Sequence, residues 1–178
     1  MNTPHGNSIT TAEHTIAMIM SLARQIPDAN VSTKKGKWEK SKFVGTEITG
    51  KKLGLIGCGN IGSIVVDRAK GLKMNVQVYD PFLTDDKSKE LGIEKVSFEK
   101  LLGSSDIISI HTPLTDSTRN IINSDNIYSI KKGAWIINCA RGGLIDEKAL
   151  SDAINSNHIH GAAIDCLLYT SDAADDVA

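Results

Sequence analysis

Apolar residues along this chain fall into compact runs separated by segments in which they recur at helical spacing. Residues 52–56, 76–79, 106–110, 135–138 and 161–165 are short and nearly continuous in aliphatic side chains, the pattern of strands covered on both faces. Residues 61–72, 85–91, 98–103, 124–130 and 146–154 read as helices between them. Upstream, residues 12–26 predict a further helix, capped by Thr10 or Thr11 and ended by Pro27. It carries more apolar surface than one solvent-facing helix needs, which predicts a contact beyond its own domain. Strands alternating with helices imply an α/β fold, a Rossmann-like doubly wound parallel sheet with helices on both faces. Ligands of such sheets sit at the carboxyl ends of the strands, where Asn60, Asp80, Thr112, Arg141 and Asp165 all fall.

The first of these strand ends has the most informative chemistry. The strand runs into Gly57-Cys58-Gly59-Asn60-Ile61-Gly62, which opens a helix. In a dinucleotide fold Gly57 allows the tight turn, Gly59 lets backbone approach a pyrophosphate, and Gly62 lets helix pack close to strand. The helix start offers free N–H groups and the positive end of its dipole to phosphates. Asp80 ends the next strand, where an acid accepts hydrogen bonds from ribose hydroxyls and repels a 2′-phosphate, so NAD is expected over NADP. A glycine-rich turn alone also serves an adenosyl-methionine site or a plain corner. The flanking strand, helix and acid favour the dinucleotide.

Composition narrows the class. The chain has 178 residues, 40% hydrophobic and 23% charged, enough for one proper core. A net charge of -1 without a basic patch argues against nucleic acid and against a membrane surface, and points to small-molecule chemistry. Cys58, Cys139 and Cys166 have no spacing that suggests zinc or a disulfide framework, so no metal is expected. With no secretory signal or membrane-length apolar run, a cytoplasmic location is expected. Residues 34–42 read as a charged connection, with Trp38 as a packing anchor. His111 reads as a histidine that satisfies backbone groups, and His158 and His160 as surface residues without a partner.

Several blocks, in order, resemble the D-isomer-specific 2-hydroxyacid dehydrogenases. They are Asn2-Thr3-Pro4-His5-Gly6-Asn7-Ser8, Gly36-Lys37-Trp38, Gly45-Thr46-Glu47-Ile48-Thr49-Gly50-Lys51, the glycine turn, Tyr79-Asp80-Pro81, His111-Thr112-Pro113-Leu114, and the run from Lys132 through Arg141-Gly142-Gly143 to Glu147. The first and third blocks are similar to the phosphoglycerate branch. The resemblance implies an NAD-dependent oxidoreductase acting on a small 2-hydroxy acid, 3-phospho-D-glycerate in that branch, at the start of serine biosynthesis. It places NAD contacts on Asn60, Ile61, Asp80, Thr112, Cys139, Ala140 and Asp165, and the catalytic arginine on Arg141. A guanidinium suits that role, being permanently charged and forked to hold a 2-oxo acid. A structural salt bridge is the alternative for Arg141.

The resemblance also sets expectations about organisation. Residues 1–50 are expected to form an interdomain helix and connection, 51–165 an incomplete NAD-binding domain, and 166–178 a tail without family resemblance, foreign to the gene. The family's glutamate–histidine pair and most of its substrate domain have no counterpart here, so the chain alone is expected to be an inactive fragment. A homodimer or homotetramer is implied for the full-length protein. The competing readings are another D-2-hydroxyacid dehydrogenase and a non-catalytic NAD-sensing interaction protein.

Overall fold

The computed structural model describes residues 6–167. Residues 2–5 of the opening block, and the expected foreign tail from 168 onward, lie outside the described residues.

Strands β1 (Lys52–Ile56), β2 (Asn75–Tyr79), β3 (Glu94–Lys95), β4 (Ile107–Ile110), β5 (Trp135–Asn138) and β6 (Gly161–Ile164) form one sheet in the order β3-β2-β1-β4-β5-β6. Every pairing is parallel, with Leu53 facing Val76 on one side and Ile107 on the other. The order reverses between β1 and β4, so their carboxyl ends splay apart and leave a crevice. The α/β doubly wound sheet expected from the sequence is the one observed.

Helices cover both faces. On one lie α1 (Ser8–Arg24) and α3 (Asn60–Gly71), packed together over Leu53, Leu55, Ile107, Trp135 and Ile137. On the other, α5 (Phe98–Ser104) and α6 (Glu147–Asn155) cover Ile56, Ile108, Ile110 and Ile136. The alternation of these residues along each strand is the two-residue period dividing one sheet between two cores. Short helices α2 (Ile26–Lys34) and α4 (Asp85–Leu91) complete the described elements of this class. Gly54 shows how tightly the second layer sits, since a Cβ there would lie 2.2 Å from Ser105 Oγ.

Several expectations need correction. Pro27 does not end a helix; it sits in the first turn of α2, where its missing N–H costs nothing. The break falls at Gln25, which is left-handed at φ 52°. The first helix begins at Ser8, behind Asn7, so neither Thr10 nor Thr11 caps it. Residues 124–130 contain only a single 3-10 turn, Ile127–Ser129. Trp38 is 85% exposed and anchors nothing among the described residues. His158 is half-buried, with Nε2 2.9 Å from the Ile130 carbonyl oxygen and its ring against Tyr128.

Candidate functional site

Two strand-end turns meet at the crevice, and they are built differently. The first follows β1. Gly57 takes φ +94°, and a Cβ there would lie 2.7 Å from the His111 carbonyl oxygen. A Cβ on Gly62 would lie 2.6 Å from the Gly57 carbonyl oxygen, so both positions require glycine. A Cβ on Gly59 would meet no heavy atom within 4 Å. That glycine is therefore bare on its outer side, and it precedes α3 as an N-cap without a side chain to take the first-turn N–H groups. The outcome is a backbone cradle at the positive end of a helix, fit for a pyrophosphate.

The second turn follows β5. Asn138, 2% exposed, accepts a hydrogen bond from the Ala140 N–H at 3.0 Å through Oδ1. Through Nδ2 it donates to the Arg141 carbonyl oxygen at 2.8 Å. One side chain thus folds the turn that projects Arg141. The guanidinium is exposed; its Nη1 donates to the Ala140 carbonyl oxygen at 2.8 Å. Among the described residues no Asp or Glu forms a salt bridge with it.

Between the turns lies a cleft of about 610 Å³, large enough for an extended cofactor's central portion. Gly59, Asn60, Ile61, Thr112, Cys139, Ala140 and Arg141 line it. Gly57 and Gly62 shape the turn from behind. Asp80 and Asp165 stand at the ends of β2 and β6, outside the cleft lining. Asp80 accepts from the Cys58 and Phe82 amides, while Asp165 lies 3.5 Å from His14 Nε2 on α1.

Asn7, Ser8 and Thr11, at the start of α1, also line the cleft; from the sequence Thr11 was expected only as a helix cap and Asn7 and Ser8 only as part of a family block. Asn138 was also missed, though a polar residue ending an otherwise aliphatic buried strand was its signal.

His111 borders the same cleft. Its Nε2 lies 2.9 Å from Ser109 Oγ, and its Nδ1 is buried without a partner among the described residues. Burial pulls its pKa down to about 4, so the ring is neutral at pH 7 and is no proton donor. Burial first, then the nearby Asp80 charge, pushes the Cys58 thiol up to about 11. Burial pushes Cys139 to about 11 as well, so neither is a ready nucleophile.

Sheet order, switch point, glycine cradle and acid at the end of β2 define a dinucleotide-binding Rossmann domain. Residues 16–175 match the family described as "D-isomer specific 2-hydroxyacid dehydrogenase, NAD binding domain", and the chain belongs to that family. The D-3-phosphoglycerate dehydrogenase of Bacillus subtilis is 50% identical over 165 residues, 93% of this chain and 31% of the relative. The chain thus spans about a third of the length of the curated relatives it matches. The apo-structure of D-lactate dehydrogenase from Escherichia coli superposes with a TM-score of 0.87 and 32% identity, over 96% of this chain and 54% of that one. An NAD-dependent formate dehydrogenase from Staphylococcus aureus, solved in complex with NAD, gives 0.84 and 32%, over 90% of this chain and 48% of that one. NAD is the cofactor of this domain.

Proposed function

We propose that this chain is the cofactor-holding part of an oxidoreductase that converts 3-phospho-D-glycerate to 3-phosphohydroxypyruvate. The observation that carries the reading is that a bare glycine cradle and Arg141, which has no carboxylate partner among the described residues, line one cleft. The name of the Bacillus subtilis relative supports the substrate.

In this reading Gly57, Gly59, Asn60, Ile61 and Gly62 hold the pyrophosphate, and Asp80 holds the adenosine ribose. Thr112, Cys139, Ala140 and Asp165 follow the cofactor toward its nicotinamide. Bound NAD supplies a hydride acceptor. Arg141 grips the carboxylate and C2 oxygen of the 2-hydroxy acid in a forked pair of hydrogen bonds, which fixes C2 against the ring. The hydroxyl proton needs a base with a pKa nearer neutrality than His111 offers. Residues 1–50 serve as interdomain helix and connection and 51–165 as the NAD-binding unit of a cytoplasmic homodimer or homotetramer.

Calorimetric titration tests the cofactor site: saturable binding of NAD, competed by ADP-ribose and weaker for NADP, is expected. Tighter NADP binding would refute the assignment of Asp80. A polypeptide covering the relatives' full length should reduce NAD with 3-phosphoglycerate, and Arg141→Ala should remove most of that rate. Turnover surviving that change would mean that another residue orients the substrate.

A further inference from the structure

We infer that Asp80 is a positioning residue for the glycine turn itself, a role that rests on the cleft being the NAD site and goes beyond contact with the ribose. Its two carboxylate oxygens are divided between two backbone donors. Oδ2 accepts from the Cys58 N–H at 2.7 Å, and Oδ1 accepts from the Phe82 N–H at 2.8 Å. Cys58 is the residue between Gly57 and Gly59, so the first of these bonds fixes the orientation of the cradle's central peptide. Phe82 is two residues past Asp80 and 93% exposed, so the second bond holds the carboxylate's own loop in place against a side chain that packs on nothing.

Other contacts leave this job undone. The strand pairing ends at Gly57, whose N–H donates to the Tyr79 carbonyl oxygen at 2.9 Å. On the opposite side Gly57 packs closely on the His111 backbone, and past Cys58 the Gly59 carbonyl oxygen accepts from the Ser63 N–H at 3.0 Å, which leaves the Cys58 amide between them to Asp80. Gly59 has no neighbour within 4 Å of a Cβ position, so nothing presses the turn from outside. The Asp80–Cys58 bond is what carries the order of β2 into a loop with two glycines. Being charge-assisted, it is stronger than the neutral bonds around it. The same carboxylate raises the Cys58 thiol pKa, in keeping with its closeness to the turn.

The consequence concerns cofactor selectivity. If Asp80 touched only the ribose, replacing it would trade NAD for NADP. Because it also braces the pyrophosphate cradle, replacing it costs affinity for both. Asparagine cannot substitute, since one oxygen cannot serve both amides and its NH2 group would face an N–H donor.

The test uses an NAD analogue lacking the 2′- and 3′-hydroxyls of the adenosine ribose, which has nothing to offer a ribose-binding acid. Asp80→Asn should weaken this analogue by about tenfold, the usual size of a lost bond to a charged acceptor, and weaken NAD by more. Unchanged analogue affinity alongside weakened NAD would overturn the inference and leave Asp80 a ribose ligand only. A chain that binds neither NAD nor the analogue before mutation would instead sink the reading of the cleft. Amide hydrogen exchange on the unmutated, ligand-free chain decides the brace independently of nucleotide and of how the variant folds. Protection of the Cys58 N–H comparable to that of Gly57 is expected, and exchange of Cys58 at the rate of an open loop would overturn it.

Discussion

The turn after β1 and the turn after β5 line one cleft, carry two glycines or more each, and are stabilised in different ways. The β5 turn is folded mainly from within: Asn138 reaches two and three residues ahead and folds the chain that presents Arg141, and the Asn120 N–H adds one bond from outside, to the Gly143 carbonyl oxygen at 2.8 Å. The β1 turn has no such internal clamp. It is held by groups from elsewhere, the Asp80 carboxylate from beyond β2 and the His111 backbone from beyond β4. The difference follows from what each turn displays. A turn that presents a side chain can use a neighbouring side chain as its brace, whereas one that presents bare backbone to an anion must keep its own side chains out of the way. Its support then has to come from behind, through tertiary contacts.

The largest effect expected from breaking this contrast is at Gly59. Gly59→Val should leave the domain folded, because open space surrounds the position, yet should weaken NAD at least about a hundredfold by filling pyrophosphate space. Circular dichroism and calorimetry on the same sample check both halves, and near-normal affinity in a folded variant would place the cofactor elsewhere.

The next effect is a pH dependence confined to the side of the β1 turn. Unfolded, His111 titrates near the ordinary imidazole value of 6.5; folded, burial pulls it down to about 4. Its contribution is therefore complete above pH 6.5 and is lost as pH falls from 6.5 toward 4, because the unfolded chain takes up a proton that the enclosed ring does not. The loss is on the order of 3 kcal/mol. Urea unfolding at a series of pH values measures it, and His111→Gln should flatten that stretch of the profile.

Asn138→Ala attacks the other turn. It strands the Ala140 N–H and the Arg141 carbonyl, for a loss of about 1–3 kcal/mol. No hydrogen bond links Asn138 to the β1 turn among the described residues, so exchange rates at Cys58 should not change in this variant. The smallest effect belongs to Arg141→Ala, which removes an exposed side chain without a carboxylate partner. Denaturant unfolding should shift by no more than about 0.5 kcal/mol, and a larger shift would mean that the guanidinium is structural after all.

Some of this architecture was legible in the residues. The strands announce themselves as buried aliphatic runs, and Gly57, Gly59 and Gly62 fall where strand meets helix. The edge strand β3 was not legible, because Glu94 and Lys95 are both exposed and leave no apolar pattern. Pro27 was ambiguous for a definite reason. A residue without an N–H fits after a helix end or inside a helix start, and only the left-handed backbone at Gln25 settles which.

By itself, then, the sequence determined the alternation of strand and helix and the glycines that local geometry demands. The tertiary structure alone decided what depends on the order of strands. It brought Asp80 against Cys58 across 22 residues, and set Asn7, Ser8 and Thr11 on the same cleft as Arg141. It also half-buried the His111 ring at the edge of the cleft. Periodicity reports which side of an element is buried and not what it is buried against, so a brace between two strand ends leaves no local trace until the sheet is assembled.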